Sequence, residues 1–203
     1  SARGIIVDTA DALAAGVAFV QYREKGKDEA ARREEAAALG KLCRAAGVPF
    51  LVNDDVALAR AVGADGVHLG ASDMAIEKAR AALGPDAIIG LSTHGPDEAR
   101  DAERRGADYA GVGPVFATTT KLDAAAPIGP EGVRLIRAAT RLPLAAIGGI
   151  NLSNAREVFA AGADIGELRA RTVLDKKFRT SRVAWEALEA CRKPVIAAVN
   201  GYA

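Results

Sequence analysis

Short apolar runs alternate with amphipathic stretches from the first residues to beyond position 160. Residues 4–8, 18–23, 49–52, 66–69, 87–91, 109–112 and 144–147 are runs of strand length, rich in branched or small apolar side chains. Between most of them lie stretches with helical character at 28–46, 56–62, 75–83, 96–105, 131–139 and 151–161. The links are short. Repeated strand–helix units with short links predict a parallel sheet with helices outside it. Seven such units before residue 163 predict an α/β (β/α)8 TIM barrel in preference to an open sheet. The 203 residues can fill one sizeable core, although such barrels usually run to ~250 residues.

Past residue 163 the pattern changes. Phe178, Val183, Trp185, Leu188 and Cys191 fall along one helical stripe, which makes Trp185 a core anchor. Residues 194–199 form a continuous apolar run, the signature of a buried parallel strand. The expectation is an extra helix followed by a strand that substitutes for the eighth barrel strand and pairs with the first or the seventh.

Composition narrows the function classes. The 27 Lys and Arg residues nearly cancel the 26 Asp and Glu residues, so no general case exists for nucleic acid or an acidic membrane surface as partner. Cys43 and Cys191 are far apart and lack metal-ligand spacing, so both are expected to be core thiols. No signal peptide and no apolar run of transmembrane length is evident. A cytoplasmic enzyme acting on small-molecule substrates is the expectation, and the oligomeric state is not legible.

The polar residues cluster just after the apolar runs, where parallel α/β enzymes place their chemistry. Gly113-Pro114-Val115-Phe116-Ala117-Thr118-Thr119-Thr120-Lys121 opens from a strand into glycine, hydroxyls and a lysine, which suits a phosphate. Gln21, Arg23 and Lys25 alternate, so they share one strand face, with Glu24 turned the other way. Asn53-Asp54 and Asp73 follow two further strands. Either aspartate alone reads as a helix cap. Taken with Arg23, Lys25 and Lys121, the pair reads as a Mg²⁺–diphosphate site, since Mg²⁺ takes one or two carboxylates and shares substrate phosphates. Gly148-Gly149 ahead of Asn151 permits close backbone approach to an anion. His68 reads as a core or supporting residue and His94 as the better proton-transfer candidate. Ser92 reads as a hydrogen-bonding group.

As a set, these motifs resemble the thiamine-phosphate synthase family over about residues 15–163. The resemblance rests on Gln21-Tyr22-Arg23-Glu24-Lys25, Asn53-Asp54, Asp65-Gly66-Val67-His68-Leu69-Gly70 through Asp73, Gly90-Leu91-Ser92-Thr93-His94, the Gly113 to Lys121 loop and Ala146-Ile147-Gly148-Gly149-Ile150. It implies a (β/α)8 barrel that joins hydroxymethylpyrimidine diphosphate to thiazole phosphate and releases diphosphate. It implies that Gln21, Arg23, Lys25, Asn53, Ser92 and Lys121 hold the pyrimidine diphosphate, with Lys121, Ser92 and Lys25 the catalytic contacts. Asp54 and Asp73 would hold Mg²⁺, and Thr118, Thr120 and Gly149 the thiazole phosphate.

Two departures accompany it. The family has a longer first helix ahead of the Gln21 motif. It also has an eighth strand ending in a Ser-Ala-Ile-like phosphate turn, which is absent here. Residues 159–203 instead resemble a fragment of the enoyl-CoA hydratase (crotonase) family. That fragment lacks the glycine-rich oxyanion segment and the acidic catalytic residues, and Ala163 alone would match one oxyanion amide, so no hydratase activity is implied. The expectation is a chimera: a synthase-like barrel part over 1–163 and a crotonase-like segment over 164–203, packed on or completing the same domain. Two alternatives to the synthase stand beside it. One is a non-catalytic recombined scaffold with a residual phosphate site. The other is a thiazole tautomerase-like isomerase that uses His94.

Overall fold

The computed structural model describes residues 4–118, 125–151, 153–163 and the backbone of 197–200. The chain enters as helix α1 (Ile5–Ala14) and then alternates strand and helix: β1 (Val20–Arg23), α2 (Glu29–Ala46), β2 (Phe50–Asn53), α3 (Val56–Val62), β3 (Gly66–Leu69), α4 (Ile76–Leu83), β4 (Ile88–Thr93), α5 (Pro96–Arg104), β5 (Tyr109–Val112), α6 (Gly129–Ala139), β6 (Leu144–Ala146), α7 (Ala155–Ala160) and finally β7 (Ala197–Asn200). All described strand pairings are parallel, in the order β6-β5-β4-β3-β2-β1-β7. Strands β1 to β6 with their helices form a parallel half-barrel.

Local chemistry sets the helix ends. Asp28 caps α2 by accepting the Ala31 N–H at 2.8 Å, and Gly47, at φ +69°, closes it in the left-handed conformation that glycine adopts most easily. Asp55 caps α3 through the Leu58 N–H at 2.8 Å. Pro96 starts α5 and Pro130 starts α6, in the first turn where a missing N–H costs nothing.

The strands are buried on both faces, and the two faces pack against different things. Tyr22, Phe50, Val52, Val67, Ile89, Ala110 and Leu144 join the core that includes Leu39, Cys43, Ile76, Ala99, Val133 and Ile136 of the helices. The alternate positions Leu51, Ile88, Tyr109 and Ala145 form a second cluster with Phe19 that contains no helix residue, so it fills the concave face. Cys43 is fully buried, and burial pushes its thiol up to about 11, as expected of a core thiol.

Three expectations need correction. Residues 5–8 are helical, with Gly4 at the N-cap: Ile5, Thr9, Ala12 and Leu13 recur at helix spacing, and Thr9 is fully buried while Ile6 and Val7 are exposed. So short an apolar run as Ile5-Ile6-Val7 fits either period, and here the longer stripe wins. The helix expected from 151 begins only at Ala155, because Asn151 folds back on itself: its Oδ1 accepts from the Ser153 N–H at 2.9 Å. The tail strand pairs with β1, at Val20↔Ala197 through Arg23↔Asn200. Because 5–8 is helical, it lies where the first strand was expected, beyond 18–23. Among the described residues no pairing joins β6 to β7. Trp185 and the rest of its stripe lie outside the described residues.

Candidate active site

The concave face changes character along the strands. Below lie Phe19, Leu51, Ile88, Tyr109 and Ala145. Farther along, at the carboxyl ends, the same face carries Gln21 and Arg23 of β1, Asn53 of β2, His68 of β3 and Ser92 of β4. Strand alternation alone places them together. Gln21 Nε2 donates to Asn53 Oδ1 at 2.7 Å. His68 lies 2.9 Å from both Ser92 Oγ and the Tyr109 hydroxyl. β4 extends to Thr93, so Ser92 stands on a strand and not in a loop.

At the rim, Lys25 Nζ is 2.8 Å from Asp54 Oδ2. Asp54 has φ +64°, the only non-glycine residue in the left-handed region among the described residues. Its N–H donates to the His68 carbonyl at 2.8 Å while Asp55, the next residue, takes the helix cap. Asp73 is no cap either: the N-cap of α4 is Ala75, with no side-chain cap, and Asp73 Oδ2 accepts the Gly70 N–H at 2.7 Å. The cap explanation therefore fails for both aspartates.

The two carboxyls share a hydrogen bond. Burial works to raise Asp54, but Lys25, the bond to Asp73 and Arg23 outweigh it and hold Asp54 below the usual carboxylate range. Asp73 is pushed up, first by burial and then by the Asp54 charge, against the Gly70 N–H. The arrangement is a close carboxylate pair beside a lysine, with its two members pushed in opposite directions. Such a pair fits a hard divalent cation, which relieves the repulsion between the two carboxylates. Among the described residues no third His, Cys, Asp or Glu completes a ligand group. Two carboxylates are nevertheless a sufficient protein contribution for Mg²⁺ that is shared with substrate phosphates.

Glu24 points away from the mouth, as the alternation required. It is buried, and its Oε1 accepts the Gly26 N–H at 2.6 Å, which pins the turn carrying Lys25. Opposite, Gly148 and Gly149 make a close approach possible. A Cβ at Gly148 would sit 2.5 Å from Pro114 Cβ, and one at Gly149 would sit 2.5 Å from the Ala117 carbonyl oxygen. The space these glycines open is thus filled by the Gly113–Thr118 backbone, tied on by Val115 N–H to Ile147 O (2.8 Å) and Phe116 N–H to Gly148 O (3.0 Å). Thr118 stands at the end of the described part of that loop, and Thr120 and Lys121 lie outside the described residues. His94 pairs with Glu98 on its own helix entry, Nδ1 to Oε2 at 3.1 Å, on the exposed side.

Comparison with known proteins gives the family. The thiamine monophosphate synthase family model matches residues 5–166. The chain belongs to the thiamine monophosphate synthase family. A thiamine-phosphate synthase of Chloroflexus aurantiacus is 54% identical over 153 residues, covering 75% of this chain and 70% of that protein. One from Methanosarcina barkeri is 48% identical over 164 residues, covering 81% and 74%. The solved thiamine phosphate pyrophosphorylase of Pyrococcus furiosus superposes with a TM-score of 0.70 at 37% identity, covering 90% of each chain. The enoyl-CoA hydratase/isomerase family model matches residues 144–203, so two family matches overlap between 144 and 166.

The supporting residue that the sequence reading did not single out is Tyr109. Its signal was present in the glycines around it. Gly90 and Gly111 occupy the concave-face positions next to Tyr109 and His68, and a Cβ there would come within 2.1 Å of Tyr109 Cζ and 2.5 Å of His68 Cε1. Glycine on neighbouring strands marks where large rings turn inward.

Proposed function

We propose that this chain is a transferase that joins the hydroxymethylpyrimidine group of its diphosphate to thiazole phosphate and releases diphosphate. The observation that carries the reading is the rim cluster of Lys25, Asp54 and Asp73 beside the Gln21–Asn53 pair. It combines fixed positive charge, a cation-ready carboxylate pair and planar hydrogen-bonding groups at one strand-end surface. Membership of the family and the relatives' names support the same reading.

In this reaction the methylene C–O bond breaks and its electron pair leaves with the diphosphate. The ring amine of the pyrimidine stabilises the resulting methyl cation, and the thiazole nitrogen lone pair closes the new C–N bond. No proton is removed and no covalent enzyme intermediate forms. Lys25 and Arg23 take up charge as the diphosphate departs, and Ser92 adds a hydrogen bond. Gln21 and Asn53, already bonded to each other, hold the pyrimidine plane so that bond breaking and attack occur in one aligned complex. Asp54 and Asp73 would hold Mg²⁺, which supplies further neutralisation of the leaving group. Thr118, Thr120 and Gly149 complete the proposal as contacts of the thiazole phosphate, and Lys121 as a further contact of the diphosphate.

The test is a coupling assay with both precursors and Mg²⁺, following thiamine phosphate and diphosphate release together. Stoichiometric appearance of the two products is expected. Diphosphate release without coupled product, or no release at all, would overturn the reading.

A further inference from the structure

Two buried side chains below the rim have no direct part in that reaction. His68 and Tyr109 are 5% and 1% exposed. The Tyr109 hydroxyl is 2.9 Å from His68 Nδ1, and His68 Nε2 is 2.9 Å from Ser92 Oγ. Gly90 and Gly111 make room for both rings, so the chain of contacts is built into the strands.

Donor counting sets its direction. The imidazole lies between two hydroxyls, and among the described residues no carboxylate bonds to either ring nitrogen, so the ring is the neutral form with one N–H and one acceptor nitrogen. Burial keeps the phenol protonated. Among the described residues the phenol oxygen bonds only to the imidazole. With the ring proton on Nδ1, the imidazole would donate to the phenol and leave the phenol hydrogen buried without an acceptor. With the proton on Nε2, the phenol donates to Nδ1 and Nε2–H donates to Ser92 Oγ. Every buried donor is then used. Ser92 accepts from below, so its own hydrogen turns toward the open end of the concave face.

We propose that Tyr109 and His68 are positioning residues that fix the Ser92 hydroxyl as a hydrogen-bond donor to the leaving diphosphate. The identity of that anion rests on the transferase reading above, whereas the direction of the chain does not.

The first measurement is the His68 tautomer, read from two-bond ¹H–¹⁵N correlations of the histidine-labelled protein. The chain has 2 histidines, so a His94→Asn sample assigns the signals. The Nε2–H form is expected, and the Nδ1–H form would overturn the proposal. The second is a double-mutant cycle. Tyr109→Phe should lower kcat about tenfold with the KM for thiazole phosphate unchanged. In a Ser92→Ala background the same change should cost under about twofold, and full additivity would overturn the proposal. His68→Gln, which can place an amide N–H where Nε2 stands, should retain more activity than His68→Asn, and the reverse order counts against it. Should the wild-type chain not couple its precursors, the transferase reading falls. The cycle is then run on inorganic diphosphate affinity in the presence of Mg²⁺, with the same additivity criterion.

Discussion

Asp54 shows most clearly what one residue does here. It sits at φ +64°, where a side chain costs up to about 1 kcal/mol against glycine, and Asp55 has relieved it of the cap. Its ion pair with Lys25 is half in solvent, 53% and 27% exposed, and contributes little to stability. Asp54→Gly should therefore leave the urea midpoint unchanged or raise it, while weakening Mg²⁺-dependent diphosphate binding roughly 10- to 100-fold. Calorimetry and denaturation on one sample check both halves. A large loss of stability with intact binding would make Asp54 a structural residue. Asp73 carries a related prediction. Its carboxyl is raised by burial and by Asp54, so protonation of Asp73 competes with a cation entering the pair. Mg²⁺-dependent diphosphate binding, measured by calorimetry across pH, should weaken as pH falls and Asp73 takes up its proton. Asp73→Asn should flatten that pH dependence.

At the scale of elements, β3, β4 and β5 depend on a large–small alternation across the concave face. Gly90 faces Tyr109 and Gly111 faces His68. Gly90→Ala should destabilise the fold by about 1–3 kcal/mol through overpacking, seen as a lower urea midpoint at constant m-value. An unshifted midpoint would mean that Tyr109 turns elsewhere at no cost. The element pattern was largely open to sequence reasoning because parallel strands buried on both faces read as short apolar runs, and β5 and α3 start and end where the periodicity put them. The gathering of the candidate site residues at the strand ends was legible for the same reason: each polar cluster followed a run. Residues 4–8 were not, because the short apolar run Ile5-Ile6-Val7 satisfies a strand and one face of a helix equally, and only Thr9, Ala12 and Leu13 decide. Nor could periodicity assign the cap before α3 to Asp55 instead of Asp54. That choice depends on the turn made after Asn53, where Asp55 N–H closes on the Asn53 carbonyl at 2.7 Å.

Across the whole molecule, the half-barrel wraps its concave face around a histidine that must stay neutral. The unfolded chain binds a proton at His68 with the ordinary imidazole pKa, near 6.5, whereas burial in the folded state pushes it down to about 4. Between those values the unfolded state holds more protons, so stability rises with pH through this window. The contribution is complete above the unfolded pKa and is lost as pH falls toward the folded one. A shift of this size corresponds to about 3 kcal/mol, enough to matter against a total of roughly 5–15 kcal/mol for a domain. Carboxylates titrate in the lower part of the same range, so the wild-type curve alone does not isolate the histidine. The difference between wild type and His68→Gln does, because that variant has no ring to protonate and still reaches Ser92. Urea unfolding of both proteins at pH 7 and at pH 4.5 should show the wild type losing about 2–3 kcal/mol more than the variant over the interval. Parallel losses in the two proteins would mean that His68 is protonated in the folded state, and the donor chain to Ser92 would then need a different origin.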